Sequence, residues 1–232
     1  MTELLTLDRV DDVFVLTLIN GDNRFNKDSV AAINAAFDAV DASEGPAALV
    51  VTGTDKFFSN GLDTEWMMGP GMEAGETRPM VADLHGLFRR TLLAPYATAA
   101  AVNGHVFAAA AMWSATFDFR VMREDRGYWC LPEVDLGMTF SGGMMALIRD
   151  RLPTMVSHRA IVTGDRYGGT ECVRLGIYEE VAPEGEVLGR AIAYAQAHAH
   201  QRGDVLGQIK ANRHDEVAAA LQAEAESVGG AG

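Results

Sequence analysis

The sequence predicts an α/β protein in which a sheet-based core lies under an outer layer of helices. Three observations point there. The chain opens with a strand–helix–strand pattern, two glycine- and alanine-containing junctions turn apolar strands into helices, and after Ser141 the pattern changes to short helical stretches split by glycine and proline. Residues 13–19 are an apolar, β-branched run that stops at the turn-rich Asn20-Gly-Asp-Asn23. Asp28 or Ser29 can cap a following helix, whose Val30, Ile33, Phe37 and Val40 recur at helical spacing. Gly45-Pro46 ends it, and residues 47–51 read as a second, buried strand.

Residues 53–63 leave that strand as a loop, and Asp63 or Thr64 is placed to cap a short helix running to Met68. Residues 69–79 mix glycine, proline and charge without periodicity, which predicts a mobile loop. Pro79 then suits the start of a helix with Leu84, Leu87, Phe88 and Thr91 turned to the core. A third strand over 97–102, a helix over 106–114 and a strand over 115–122 follow. Helical stretches are expected over 144–148, 156–162, 170–175 and 187–198. The tail 215–226 should form another helix, with Val217, Ala220, Leu221 and Ala225 as its stripe.

Composition narrows the function. A formal charge of −13 argues against non-specific binding to nucleic acid or to an anionic membrane surface. A phosphate-bearing ligand would therefore need a local cluster of cations and backbone N–H groups. Cys130 and Cys172 are expected as two reduced thiols. The first twenty residues lack a basic stretch followed by an apolar run, and no apolar segment approaches the roughly 18 residues of a membrane span, so the expected location is the cytoplasm.

Three places could carry chemistry. In Phe58-Ser-Asn-Gly-Leu-Asp63, Gly61 permits a tight turn that can expose neighbouring N–H groups to an anion; an ordinary strand–helix turn fits as well. Asn103-Gly-His-Val-Phe-Ala-Ala-Ala-Ala111 is a second such junction. Two of them could aim two N–H donors at one thioester oxygen. Glu133, in Cys130-Leu-Pro-Glu-Val-Asp-Leu-Gly137, is a carboxylate among apolar residues. Buried, it would be a base near neutral pH; exposed, it is a turn glutamate. Asp135 would share its face if the segment were extended, or could equally cap the following turn. The six histidines form no HExxH arrangement, and Ser59 and Ser141 lack a G-x-S-x-G setting. His105 could orient the second loop or a ligand, or simply pack.

At these places the chain resembles the crotonase (enoyl-CoA hydratase/isomerase) superfamily, most closely the plant-type and bacterial Δ3,Δ2-enoyl-CoA isomerases. The residues that carry the likeness are Lys56-Phe-Phe-Ser-Asn-Gly-Leu-Asp63, Ala101-Val-Asn-Gly-His105 through Asp118, and Pro132-Glu-Val-Asp-Leu-Gly137. Val162-Thr-Gly-Asp-Arg166 and Arg174-Leu-Gly-Ile177 match later landmarks. The resemblance implies a spiral of repeated β-β-α units with a C-terminal helical layer. Residues 1–200 would form the catalytic core including trimerisation helices, and 201–232 a helical tail packing on the core or on a neighbouring subunit.

For function it implies an acyl-CoA thioester substrate, no separate cofactor or metal, and a homotrimer or dimer of trimers. Backbone N–H groups of Leu62 and Ala109 match the family's oxyanion hole, Ala109 standing where glycine is usual. Lys56 and the loop residues Asn60, Gly61, Leu62 and Asp63 match the CoA contacts, with Arg24 and Lys210 as further candidates for the nucleotide end. Glu133 matches the second acid of the two-glutamate hydratases, while their first acid matches Met112. That difference favours double-bond migration by one glutamate over hydration. Met112 and Trp113 would either dry the pocket or pack the helix. Another crotonase reaction, or acyl-CoA binding without turnover, is the alternative.

Overall fold

The computed structural model describes residues 3–229. Strands β1 (Leu5–Val10) and β2 (Val13–Leu18) form an antiparallel hairpin, and α1 (Lys27–Ala42) carries the chain to β3 (Ala48–Gly53), which runs parallel to β2. The chain then repeats one manoeuvre, a long strand, a short strand and helices. β3 leads into β4 (Phe57–Ser59), α2 (Thr64–Met68), α3 (Pro70–Glu73) and α4 (Thr77–Leu93). β5 (Ala97–Val102) leads into β6 (His105–Phe107) and α5 (Ala109–Ala115). β7 (Phe119–Arg123) leads into β8 (Trp129–Cys130), α6 (Gly142–Arg151), α7 (Thr154–Thr163) and α8 (Gly169–Leu175). β9 (Glu180–Ala182), α9 (Val187–His198), α10 (Asp204–Arg213) and α11 (Asp215–Gly229) complete the described chain.

The long strands make a six-stranded sheet in the order β1-β2-β3-β5-β7-β9, and the short ones a separate parallel sheet, β4-β6-β8. This is the spiral of β-β-α turns that the resemblance implied. Both faces of the large sheet are covered, so β3 and β5 are buried along their whole length. On one face Ala97, Ala99 and Ala101 meet Ala191 and Ala195 of α9, where small side chains let helix and sheet approach closely. On the other, Leu49, Val51 and Val102 pack with Val30, Ile33, Phe37, Leu84 and Phe88 of α1 and α4. Each such large side chain contributes on the order of 1.5–3 kcal/mol by leaving water. Helix α11 lies against α4 and α6 through Val217 and Leu221.

Several expectations are corrected. The cap of α1 is Asn26, which accepts from Ser29 N–H at 3.1 Å while Ser29 Oγ accepts from Asn26 N–H at 2.9 Å, a reciprocal box that starts the helix ahead of Asp28. Residues 69–79 contain α3 and the first residues of α4. The segment 106–114 splits, because Ala108 adopts φ 53° and ends a strand before the helix begins. Helix α5 continues through Ala115, so the next strand starts at Phe119. β1, β9 and α10 had no counterpart in the periodicity. Cys130 and Cys172 are buried free thiols.

Candidate active site

The small sheet positions the site. Phe58, Val106 and Trp129 point into the core, so the alternate positions Phe57, His105, Phe107 and Tyr128 face outward. The first loop leaves β4 pinned to the segment ahead of α1. Ser59 Oγ donates to Asn23 O at 2.6 Å, Asn60 N–H to Asp22 O at 2.9 Å, Phe25 N–H to Gly61 O at 2.7 Å, and Asp63 N–H to Phe25 O at 2.9 Å. Asp63 caps α2 by accepting from Trp66 N–H at 3.1 Å. The second loop is threaded through a gap that admits only glycine at 104, where a Cβ would stand 2.2 Å from Lys56 O.

The two loops meet. A Cβ on Gly61 would lie 2.6 Å from Phe107 O and 3.3 Å from Ala109 N. Gly61 also has φ +79°, so this position requires glycine on both counts. Among the described residues neither Leu62 N–H nor Ala109 N–H donates to another group of the chain. Ala109 opens α5, where N–H groups lack helical partners.

Beside this junction is a cleft of about 360 Å³, lined by Asn60, Leu62, Ala108 and Glu133 among others. Among the described residues Glu133 is the one carboxylate lining it, and it is 5% exposed. Its Oε2 is buried without a hydrogen-bond partner. Burial pushes its carboxyl up from 4.5 to about 7, against a smaller opposing pull from its own backbone N–H. The segment after it is a turn, with Asp135 and Leu136 N–H donating to Pro132 O and Met138 N–H to Glu133 O. Asp135 is therefore exposed and does not share a face with Glu133, as an extended segment would have required.

Cations gather at one side of this cleft. Arg166 lines it and lies 5.6 Å from the Phe107 ring centre, and the Lys56 ammonium lies 5.1 Å from that of Phe57. Desolvation lowers the His105 pKa, helped by Lys56, Arg126 and Arg166 around it. Arg24 also lines the cleft, held by Asp22 at 3.0 Å.

The chain matches the enoyl-CoA hydratase/isomerase family over residues 9–228. It belongs to that family. It is 31% identical to the peroxisomal enoyl-CoA delta isomerase 2 of Arabidopsis thaliana over 95% of this chain and 96% of the relative. The fold superposes on an enoyl-CoA hydratase/isomerase family protein from Pseudomonas syringae with a TM-score of 0.87, at 27% identity over 97% of this chain and 96% of the other. An enoyl-CoA isomerase from Mycobacterium tuberculosis shares the fold at a TM-score of 0.89, with 23% identity and 100% of each chain covered. The protein is accordingly an enzyme of the family's isomerase-like kind.

Of the family-matched positions, the structure brings Asn60, Leu62 and Glu133 to one cleft, with Ala109 N at the loop junction beside it. Gly61 and Asp63 shape the first loop without lining the cleft, and Lys56 lies on the outward face of the small sheet. Lys210 is elsewhere: its Nζ donates to Tyr96 O at 2.9 Å and to Asp118 at 2.7 Å, so it is no candidate for a ligand. Met112 and Trp113 do not line the cleft. Both pack the core, Trp113 donating to Thr91 Oγ1 at 2.9 Å. Arg166, which the sequence offers only as the end of the Val162-Thr-Gly-Asp-Arg166 landmark, lines the cleft, and Arg126, with no signal beyond positive charge in an acidic chain, lies with it near His105.

Proposed function

We propose that this enzyme moves the double bond of a 3-enoyl-CoA into conjugation, giving the trans-2-enoyl-CoA. The observation that carries the reading is the single buried carboxylate of Glu133, its Oε2 without a partner, in a cleft that holds no second acid among the described residues. Hydration benefits from two groups that place and activate water. Migration needs one group that removes a proton and returns it two carbons along.

In this mechanism the thioester oxygen accepts from Leu62 N–H and Ala109 N–H. Glu133 takes a proton from carbon 2, and the electron pair spreads over a dienolate whose oxygen carries the charge. Protonated Glu133 then returns the proton to carbon 4. Each N–H donor would lower the barrier by about 3–4 kcal/mol, judged by oxyanion-hole losses elsewhere. A pKa of about 7 suits a group that must act as base and then as acid near neutral pH. The reaction calls on no metal, nicotinamide or flavin.

Lys56, Arg126 and Arg166 would receive the phosphates of CoA, offsetting the −13 of the whole chain. Asn60 and Leu62 would contact its thiol arm, with Gly61 and Asp63 holding the loop. Assembly into trimers is part of the proposal, supported by the resemblance and by exposed Val134, Leu136, Met138 and Val162. So is a cytoplasmic location, although the Arabidopsis relative is named peroxisomal. No helix among the described residues is long and apolar enough to cross a membrane.

The test is incubation with cis- and trans-3-hexenoyl-CoA while resolving conjugated and 3-hydroxy products. Conjugation without hydration is expected. Inertness of both, with trans-2-hexenoyl-CoA hydrated in a parallel incubation, would replace the reading with a hydratase that uses an unidentified second group, and no reaction of any of the three would favour binding without turnover.

A further inference from the structure

Ala108 holds a backbone conformation that alanine resists. Among the described residues four non-glycine positions have positive φ, and the other three are Asp11, Asn23 and Asp55, whose short polar side chains tolerate it. Ala108 stands at φ 53°, ψ −125°, a combination that glycine supplies in type II′ turns. Its neighbours impose it. Ala108 N–H donates to Cys130 O at 3.0 Å, joining the residue after β6 to the end of β8, and its carbonyl accepts from Met112 N–H at 3.1 Å in the first turn of α5. Glycine would hold the same two bonds with less strain, so the methyl group is what alanine adds at this position.

That methyl has a definite place. Ala108 lines the cleft with Leu62 and Glu133. Its Cβ is 3.1 Å from where a Cβ on Gly61 would stand, and Ala109 N is 3.3 Å from the same point. The methyl therefore sits at the seam of the two loops, next to both free N–H groups. With the thioester oxygen on those donors, carbon 2 would extend toward Glu133 within the cleft that Ala108 also lines.

We propose, building on the isomerase reading, that the Ala108 methyl is a specificity element that closes the space beside carbon 2 and excludes thioesters branched there. A methyl branch at carbon 2 still leaves one proton for Glu133 to move to carbon 4, so the branched substrate fails on fit and not on chemistry.

The test compares the wild type with Ala108→Gly on 3-hexenoyl-CoA and 2-methyl-3-hexenoyl-CoA, after thermal melts show both proteins folded. The ratio of kcat/KM for branched over straight substrate should rise roughly tenfold or more in the variant, the effect of a methyl-sized space in a tight pocket. A ratio unchanged within about twofold overturns the proposal, even if both activities fall, since the methyl would then only set loop geometry. Should the wild type not isomerise the straight substrate, the isomerase reading fails on its own. The affinities of both proteins for hexanoyl-CoA and 2-methylhexanoyl-CoA then decide the role of the methyl: a selective gain for the branched thioester in Ala108→Gly upholds it, and parallel affinities sink it.

Discussion

Asp118 and Glu133 are both carboxylates held largely below the surface, and the fold treats them in opposite ways. Asp118 Oδ2 accepts from Thr98 N–H at 2.8 Å, from Thr98 Oγ1 at 3.0 Å and from Lys210 Nζ at 2.7 Å, while Lys210 also reaches Tyr96 O. Helix α10 is thereby tied to the start of β5 and to the chain just ahead of β7. Glu133 is more deeply buried, yet one of its oxygens has no partner and no cation neutralises it. A carboxylate surrounded by donors braces the fold, whereas a buried one left without them is held near neutrality and is free to exchange a proton. The first arrangement adds stability; the second gives up some of it for chemistry.

The contrast can be broken most sharply at Glu133. Glu133→Gln should lower kcat/KM for conjugation by roughly 10²–10⁴ while circular dichroism shows the fold retained. A variant within a few-fold of wild type would remove Glu133 from the mechanism. The same substitution should raise stability at alkaline pH. Glu133 is harder to ionise folded than unfolded, so the wild type loses stability as pH rises from about 4.5 to about 7, by about 3 kcal/mol in all. Urea melts at pH 5 and pH 8 should show the advantage of Glu133→Gln small at the first and near its full size at the second. An advantage equal at both would mean that the carboxylate is not held up by burial.

Lys210→Met should act the other way, costing on the order of 2 kcal/mol, since Asp118 is left without its cation yet remains partly exposed to water. Its kcat on the folded fraction should match wild type, and a selective loss of kcat would blur the division between the two carboxylates. The smallest effect is expected at the rim. Arg166→Ala should raise KM for acyl-CoA substrates about three- to tenfold with kcat little changed, because an exposed charge-assisted contact to phosphate adds to binding and not to the chemical step.

Much of the large sheet was legible because β2, β3 and β5 are long apolar runs and α1, α4 and α9 repeat at helical spacing. The small sheet was not. Its strands are two or three residues long, too short to show a period, and β6 runs into an alanine-rich segment with high helix propensity that only the Ala108 conformation interrupts. β1 hid behind charged positions, being a half-exposed edge strand. At the site, Glu133 stood out as an acid among apolar residues, but its burial depends on the turn at 132–138 and on packing from distant segments. Likewise Lys56, Arg126 and Arg166 are far apart in sequence and converge only because β4, β6 and β8 lie side by side.

One measurement bears on the central claim most directly: a single turnover of 3-hexenoyl-CoA labelled with deuterium at carbon 2. If Glu133 alone removes and returns the proton from its buried oxygen, the conjugated product should carry part of the label at carbon 4. Conjugation with no deuterium at carbon 4, or a 3-hydroxy thioester in its place, would contradict a single sheltered carboxylate as the agent of transfer.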